Sequence, residues 1–94
     1  MSAFSSTEVR SFIISHLAVP LRENGIMDGQ VTDDFDLMRK GIIDSIGLIN
    51  LFGAIGDHFD IEVDFDDMDT EYLTVVGPVC HYIAEHAKKR STNG

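Results

Sequence analysis

Apolar residues recur at helical spacing in three separate stretches of this chain, which restricts it to folds in which one-sided helices cover one another. Val9, Phe12, Ile13, His16 and Leu17 stand at i, i+3, i+4, i+7 and i+8. Leu48, Leu51, Phe52, Ile55 and Phe59 form a second stripe, and Val76, Val79, Cys80, Ile83 and Ala87 a third. Short helices of this kind are marginal alone in water and gain their stability by packing stripe against stripe. With 94 residues there is room for one such core, so the chain is expected to form a single domain over 1–94 with an ordered core over about 5–89.

The helix ends can be placed from capping chemistry. Ser5 and Glu8 have capping-box spacing, with Phe4 and Val9 at the staple positions, which predicts a first helix from Ser5 to Leu17. Pro20 limits it, because Val19 before a proline is biased toward extended backbone. His16 falls on the apolar stripe and is expected to be a partly buried packing residue. From about Ala18 to Asp44 the pattern dissolves into glycines and aspartates, a long connection that Phe35 and Leu37 are expected to pin to the core.

Asp44 or Ser45 then opens a second helix running to about His58. At 100° per residue its Gly47, Asn50, Gly53 and Asp57 fall together on a bare side opposite the stripe. Gly47, Gly53 and Gly56 weaken this helix by roughly 3 kcal/mol relative to alanine. Two explanations are open: a helix simply held by its core stripe, or a partner that docks closely on the small-residue side.

Ile61, Val63 and Phe65 alternate with Glu62, Asp64 and Asp66, a strand-like period without an evident strand to pair with, so an extended connection tucked under the helices is expected. A short helical turn within Asp66 to Leu73, capped by Asp66 or Asp67, would place Met68, Tyr72 and Leu73 on the core. Thr74 is the expected N-cap of the last helix, with Pro78 in its first turns and Lys88, Lys89 and Arg90 complementing the dipole at its end. Ser91 to Gly94 should fray. The predicted class is all-α: a small four-helix bundle of three longer helices plus a short third helix, with a long first loop.

Charge excludes some functions. A formal net charge of −9 argues against a nucleic-acid partner, which demands clustered Lys and Arg. From Asp57 to Glu71 there are eight carboxylates and no Lys or Arg, so basic partner surfaces are the natural complement. The lone Cys80 can form neither an internal disulfide nor a zinc knuckle, and is expected to be a small buried apolar residue. No apolar run approaches bilayer length and the first residues have no signal-peptide character, so a soluble, cytoplasmic monomer with no membrane partner is expected.

Three chemistries are candidates. Counted from Asp60, Glu62, Asp64 and Glu71 fall at positions 3, 5 and 12 of an EF-hand-like loop, but Phe65 stands where the sharp turn needs glycine and Asp67 where an apolar residue is usual. A solvated acidic face is the plainer account; the alternative function it leaves is an acidic divalent-ion-binding interaction module using 60–71, and no metal ligand is assigned. For hydrolysis, Ser45 lacks the Gly-x-Ser-x-Gly elbow and no spacing places His58, His81 or His86 beside it, so no catalytic residue is assigned. For attachment, a modified serine must be exposed and is well placed where a helix start favours an anion. Ser45 meets that demand, with Asp44 able to cap the helix and Ile43 and Ile46 able to anchor the turn so that the hydroxyl points outward. On local pattern alone, a plain cap and an attachment site remain equal.

Gly41-Ile42-Ile43-Asp44-Ser45-Ile46-Gly47-Leu48 resembles the attachment motif of acyl and peptidyl carrier proteins, in which an Asp-Ser-Leu or Asp-Ser-Ile triplet opens the second helix. The likeness extends through Leu51, Ile55, Phe59-Asp60-Ile61-Glu62-Val63 and Thr74-Val75 to Tyr82-Ile83, and upstream to the first helix. It implies a non-enzymatic carrier: a 4'-phosphopantetheine arm on Ser45, with Asp44 as the flanking motif residue, bearing cargo as a thioester. The implied partners are a phosphopantetheinyl transferase and the acyl- or aminoacyl-loading and downstream biosynthetic enzymes, whose basic patches would dock on the acidic surface. The bare side of the second helix adds Ile46, Gly47, Asn50, Gly53 and Asp57 as the residues expected to meet partners. Many fatty-acid carriers have an acidic second helix, whereas Asn50, Gly53 and Gly56 leave this one largely uncharged. The sequence therefore looks more like a free-standing carrier of a dedicated pathway, polyketide-type or nonribosomal-type.

Overall fold

Residues 5–66 and 68–89 are described by the computed structural model, which has four α-helices and one two-stranded sheet. Helix α1, Ser6–His16, starts as its capping box predicts: the Glu8 amide donates to Ser5 Oγ at 3.3 Å and the Ser5 amide to Glu8 Oε1 at 3.4 Å. The staple expected of Phe4 lies outside the described residues. Val9, Ile13 and Leu17 are buried as the stripe requires. His16 is not partly buried but exposed, its ring stacked on Phe12 at 5.6 Å. Its direction is that of the stripe, but it is the last residue of α1.

Pro20 does not end the helical region. After a break at Leu17, α2 spans Ala18–Glu23 with Pro20 in its first turn, where a missing N–H removes no helical bond. This turn buries Leu21 and shortens the expected connection, which also contains a 3-10 turn at Asp28–Gln30. The short α-helix thus comes second in the chain rather than third. Phe35 and Leu37 are buried, as expected, and Val31 and Ile42 join them in the core.

Helix α3, Ser45–Phe59, buries Leu51 and Ile55, with Phe52 and Phe59 packed against the core. The segment after it does find a strand partner: β1, Ile61–Glu62, pairs antiparallel with β2, Lys88–Lys89. The two lysines therefore stand in a strand beyond helix α4, Val76–His86, rather than in its last turn. Arg90 and the following residues lie outside the described residues. The expected turn within 66–73 is a 3-10 turn at Thr70–Tyr72, capped by Asp69, whose side chain accepts from the Glu71 amide. Met68 packs on the core, but Tyr72 is exposed.

The start of α4 departs most from expectation. Its N-cap position is Val75, which has no side chain able to accept a hydrogen bond, and the Thr74 hydroxyl donates instead to Asp36 Oδ1 at 2.7 Å. The orphan helix amides are satisfied by backbone: Val76 donates to the Phe35 carbonyl at 3.0 Å and Gly77 to the Asp33 carbonyl at 2.8 Å. Leu37 returns a bond to the Thr74 carbonyl at 2.8 Å, and Asp36 and Val75 form an antiparallel bridge. The loop thus lies against the helix start like a strand. Asp33 is further held by an ion pair with Arg10 of α1.

Such proximity requires glycine at position 77. A Cβ there would lie 2.6 Å from the Asp33 Cβ and 2.8 Å from the Asp33 carbonyl oxygen, whereas at Gly53 it would meet nothing within 4 Å. Gly77→Ala should therefore destabilise the fold by about 1–3 kcal/mol, and Gly53→Ala should stabilise it by roughly 0.5–1 kcal/mol, both read from urea unfolding midpoints.

Burial pushes the Asp36 carboxyl up, but hydrogen bonds from the Arg39 amide, the Thr74 hydroxyl and the Met38 amide, with the Arg39 charge, outweigh it and hold it below the ordinary carboxylate value. A depressed folded-state value adds stability above the unfolded value and loses it as pH falls through the folded one. Asp36→Asn should be less stable than the parent by on the order of 1–2 kcal/mol at neutral pH. That gap should close as the solution is acidified below the ordinary carboxylate range, a trend measurable by unfolding at a series of pH values.

Candidate functional site

The start of α3 divides two tasks between neighbouring residues. Asp44, in extended backbone at φ −103 and ψ −172, is the N-cap, and its Oδ1 accepts from the Gly47 amide at 2.7 Å. Ser45 is the first helical residue and is exposed. Among the described residues nothing hydrogen-bonds to its hydroxyl. Capping therefore accounts for Asp44 and leaves Ser45 without a structural task. The first amides of α3 and the positive end of its dipole also make this a favourable place for a phosphate-bearing group.

The turn leading into the site is fixed by one carbonyl. Leu37 O accepts from the Ile42 amide at 2.9 Å and from the Ile43 amide at 3.3 Å. Gly41 takes φ +76, a left-handed conformation that side chains rarely adopt, to bring those amides round. Ile42 is buried and Ile43 packs half-buried against the core, so Ile43 anchors the turn as expected. Gly41, Ile42, Ile43, Asp44 and Gly47 line an open groove of about 500 Å³ beside Ser45.

Two sequence-based placements need correction. Gly47 does not belong to an open side with Asn50, Gly53 and Asp57: a Cβ on it would lie 3.1 Å from the Ile43 Cβ and 3.2 Å from Asp44 Oδ1. Its small size serves the cap. Ile46 does not anchor the turn; it is 70% exposed, and Ile49, one turn beyond Ser45, is 69% exposed. The side containing Asn50, Gly53 and Asp57, all exposed, is therefore not bare but flanked by two large aliphatic residues. The apolar residues at 46, 48, 49, 51 and 52 were the signal for this, since one buried stripe cannot cover them all.

A second cavity, of about 360 Å³, lies between α3 and the segment after it, with Phe52, Gly53, Gly56, Ile61, Phe65 and Ile83 among its lining. Phe52 and Phe65 stack at 4.4 Å at its wall. The period-2 stretch from Ile61 was its trace in the sequence, visible only once that stretch is known to cross the helix.

The acidic stretch does not gather around a centre. Asp60 is the left-handed C-cap of α3 at φ 56, Glu62 belongs to β1, Asp64 accepts from the Asp66 amide and Asp69 caps the 3-10 turn. Asp67 lies outside the described residues. Among the described residues no three His, Cys, Asp or Glu side chains are grouped to hold a metal ion. His58 stands thirteen residues beyond Ser45 on the same helix, roughly 20 Å along its axis, and its ring stacks on Phe12 at 4.4 Å. His86 stacks on Tyr82 at 4.3 Å, and His81 is exposed on α4. Among the described residues no helix is long and apolar enough to cross a membrane.

Comparison with protein-family models, characterised proteins and solved structures finds no match for this chain.

Cys80 is buried, and burial pushes its thiol from 9.0 up to about 11 against the opposing influence of Arg10. Burial and the raised thiol both leave less accessible thiolate, so the folded chain should react with a disulfide reagent much more slowly than the unfolded chain. Any thiol later attached at the surface would stand out against this silent background.

Proposed function

We propose that the chain is a carrier protein whose Ser45 bears a 4'-phosphopantetheine arm, holding acyl or aminoacyl cargo as a thioester for partner enzymes. Ser45 Oγ forms the new phosphodiester with the phosphopantetheine of coenzyme A as the bond to 3',5'-adenosine diphosphate breaks, and the serine proton leaves to a base of the transferase. The chain itself supplies no catalytic group and acts as a cofactor-bearing substrate of other enzymes.

The observation that carries this reading is the separation of cap from hydroxyl: Asp44 holds the Gly47 amide, and Ser45 is exposed beside it on the first turn of a 15-residue helix. The Asp-Ser-Ile resemblance to carrier proteins supplies the chemistry that such a hydroxyl would undergo. Four helices in one small domain agree with the four-helix bundle of that family, the departures being the early short helix and the β1–β2 pair. The uncharged composition of α3 from Ser45 to Gly56 supports a dedicated pathway, polyketide-type or nonribosomal-type, over a fatty-acid carrier. A cytoplasmic monomer that meets its transferase and loading enzymes in turn completes the proposal.

Incubation with coenzyme A and a phosphopantetheinyl transferase of broad specificity should raise the intact mass by one phosphopantetheine, with no adduct on Ser45→Ala. An unmodified parent chain, or an adduct that persists in Ser45→Ala, would overturn the assignment.

A further inference from the structure

We infer that Thr74, far from Ser45 in sequence and in the turn before α4, is a positioning residue for modification of Ser45, acting through Asp36. The inference rests on the carrier reading for its enzymatic half and on geometry alone for its structural half.

The connection can be followed atom by atom. Thr74 Oγ1 donates to Asp36 Oδ1 at 2.7 Å, across 38 residues of chain. The same carboxylate oxygen accepts from the Met38 amide at 3.1 Å and the Arg39 amide at 3.0 Å, which closes the turn that follows Leu37. Leu37 is held between the two segments, donating to the Thr74 carbonyl at 2.8 Å while its own carbonyl receives the Ile42 and Ile43 amides. Asp44 and Ser45 come next. The Leu37 carbonyl thus holds Ile42 and Ile43, which line the groove beside Ser45, and the hydroxyl of Thr74 ties the turn next to Leu37 to the segment before α4.

A transferase acting on the Ser45 hydroxyl must cover the adjoining turn at residues 41–44 while the oxygen attacks. It therefore binds the conformer in which that turn is seated, and its apparent affinity falls with the fraction of chains holding it. The chemical step is unaffected, because neither Thr74 nor Asp36 touches the reacting atoms. Loss of the hydroxyl should raise KM and spare kcat, a signature that loss of global stability does not produce while the chain remains folded.

The test compares Thr74→Val, Thr74→Ser and the parent chain as substrates of one transferase with coenzyme A, at a temperature where circular dichroism reports all three folded. Amide exchange at Ile42 and Ile43 should speed up about fivefold in Thr74→Val, as expected for removal of one partly buried hydrogen bond, and not in Thr74→Ser. KM of Thr74→Val should rise measurably, by about fivefold at most because it follows the fraction of chains with the turn seated, with kcat within about twofold, and Thr74→Ser should return to parent values. Should Thr74→Val not fold, Asp36→Asn takes its place in the same comparison. An unchanged KM, a loss confined to kcat, or a serine variant as impaired as the valine variant would each overturn the inference. A parent chain that accepts no arm would overturn the carrier reading instead, and the exchange rates would still decide whether Thr74 holds the turn.

Discussion

The N-terminus of α4 has no side-chain cap, and much of the rest of the structure follows from how its amides are satisfied. Val76 and Gly77 donate to the carbonyls of Phe35 and Asp33, so the loop must lie against the helix at backbone contact distance. Buried helix ends need such partners, since an unpaired backbone donor loses the full value of its hydration. Gly77 permits the contact and the Arg10–Asp33 ion pair holds its far side to α1. The ordering of a long aspartate-rich segment, which its composition would not by itself predict, is explained by these bonds together with the burial of Val31, Phe35 and Leu37.

One segment thereby governs the start of two helices. Residues 33–37 cap α4 with their carbonyls, and Leu37 O then receives the amides of the turn that leads into α3. Asp36 stands where the two tasks meet, accepting from the Met38 and Arg39 amides and the Thr74 hydroxyl. A carboxylate that accepts several hydrogen bonds keeps its charge readily even when partly buried. Because Asp44 then caps α3 by itself, Ser45 is left outside this network. The hydroxyl on which the functional reading depends takes no part in the cap, which Asp44 supplies.

What the sequence disclosed and what it hid divide along the same line. The Ser5–Glu8 capping box, the burial of Val9, Ile13, Leu51, Ile55, Val79 and Ile83, and the cap at Asp44 depend on residues within one or two turns of each other, and all were legible. The task of Thr74 was not, because its hydroxyl had a local use as a cap and a distant one at Asp36, and spacing cannot rank them. Pro20 misled for a related reason: a proline ends a helix only where its missing amide was needed, and a new first turn at Ala18 needs none. The partner of Ile61 lay near the far end of the chain, at Lys89, where composition suggested only a helix terminus. At the start of α3, the cap at Asp44 and the exposure of Ser45 were legible, while the covering of Gly47 was not, because a helical wheel records direction but not the turn that folds back against it.

The distribution of charge limits how any partner could meet Ser45. The first three turns of α3 carry no Asp, Glu, Lys or Arg, and the side chains they expose nearest Ser45 include Ile46 and Ile49. Eight of the sixteen carboxylates fall between Asp57 and Glu71, at the other end of the helix and beyond it, while Asp44 stands directly before Ser45. Under the carrier reading these two regions act at different stages of an encounter. A cluster of like charge attracts a basic surface over roughly a Debye length and so affects how often partners collide. Once they touch, apolar contact with Ile46 and Ile49 has no counterion of its own to lose, and its strength depends on area and fit, leaving Asp44 as the charge beside Ser45. Added salt should therefore slow association with a basic partner far more than it speeds release, whereas for a partner that meets only the Ile46–Ile49 surface both rates would be nearly indifferent to salt.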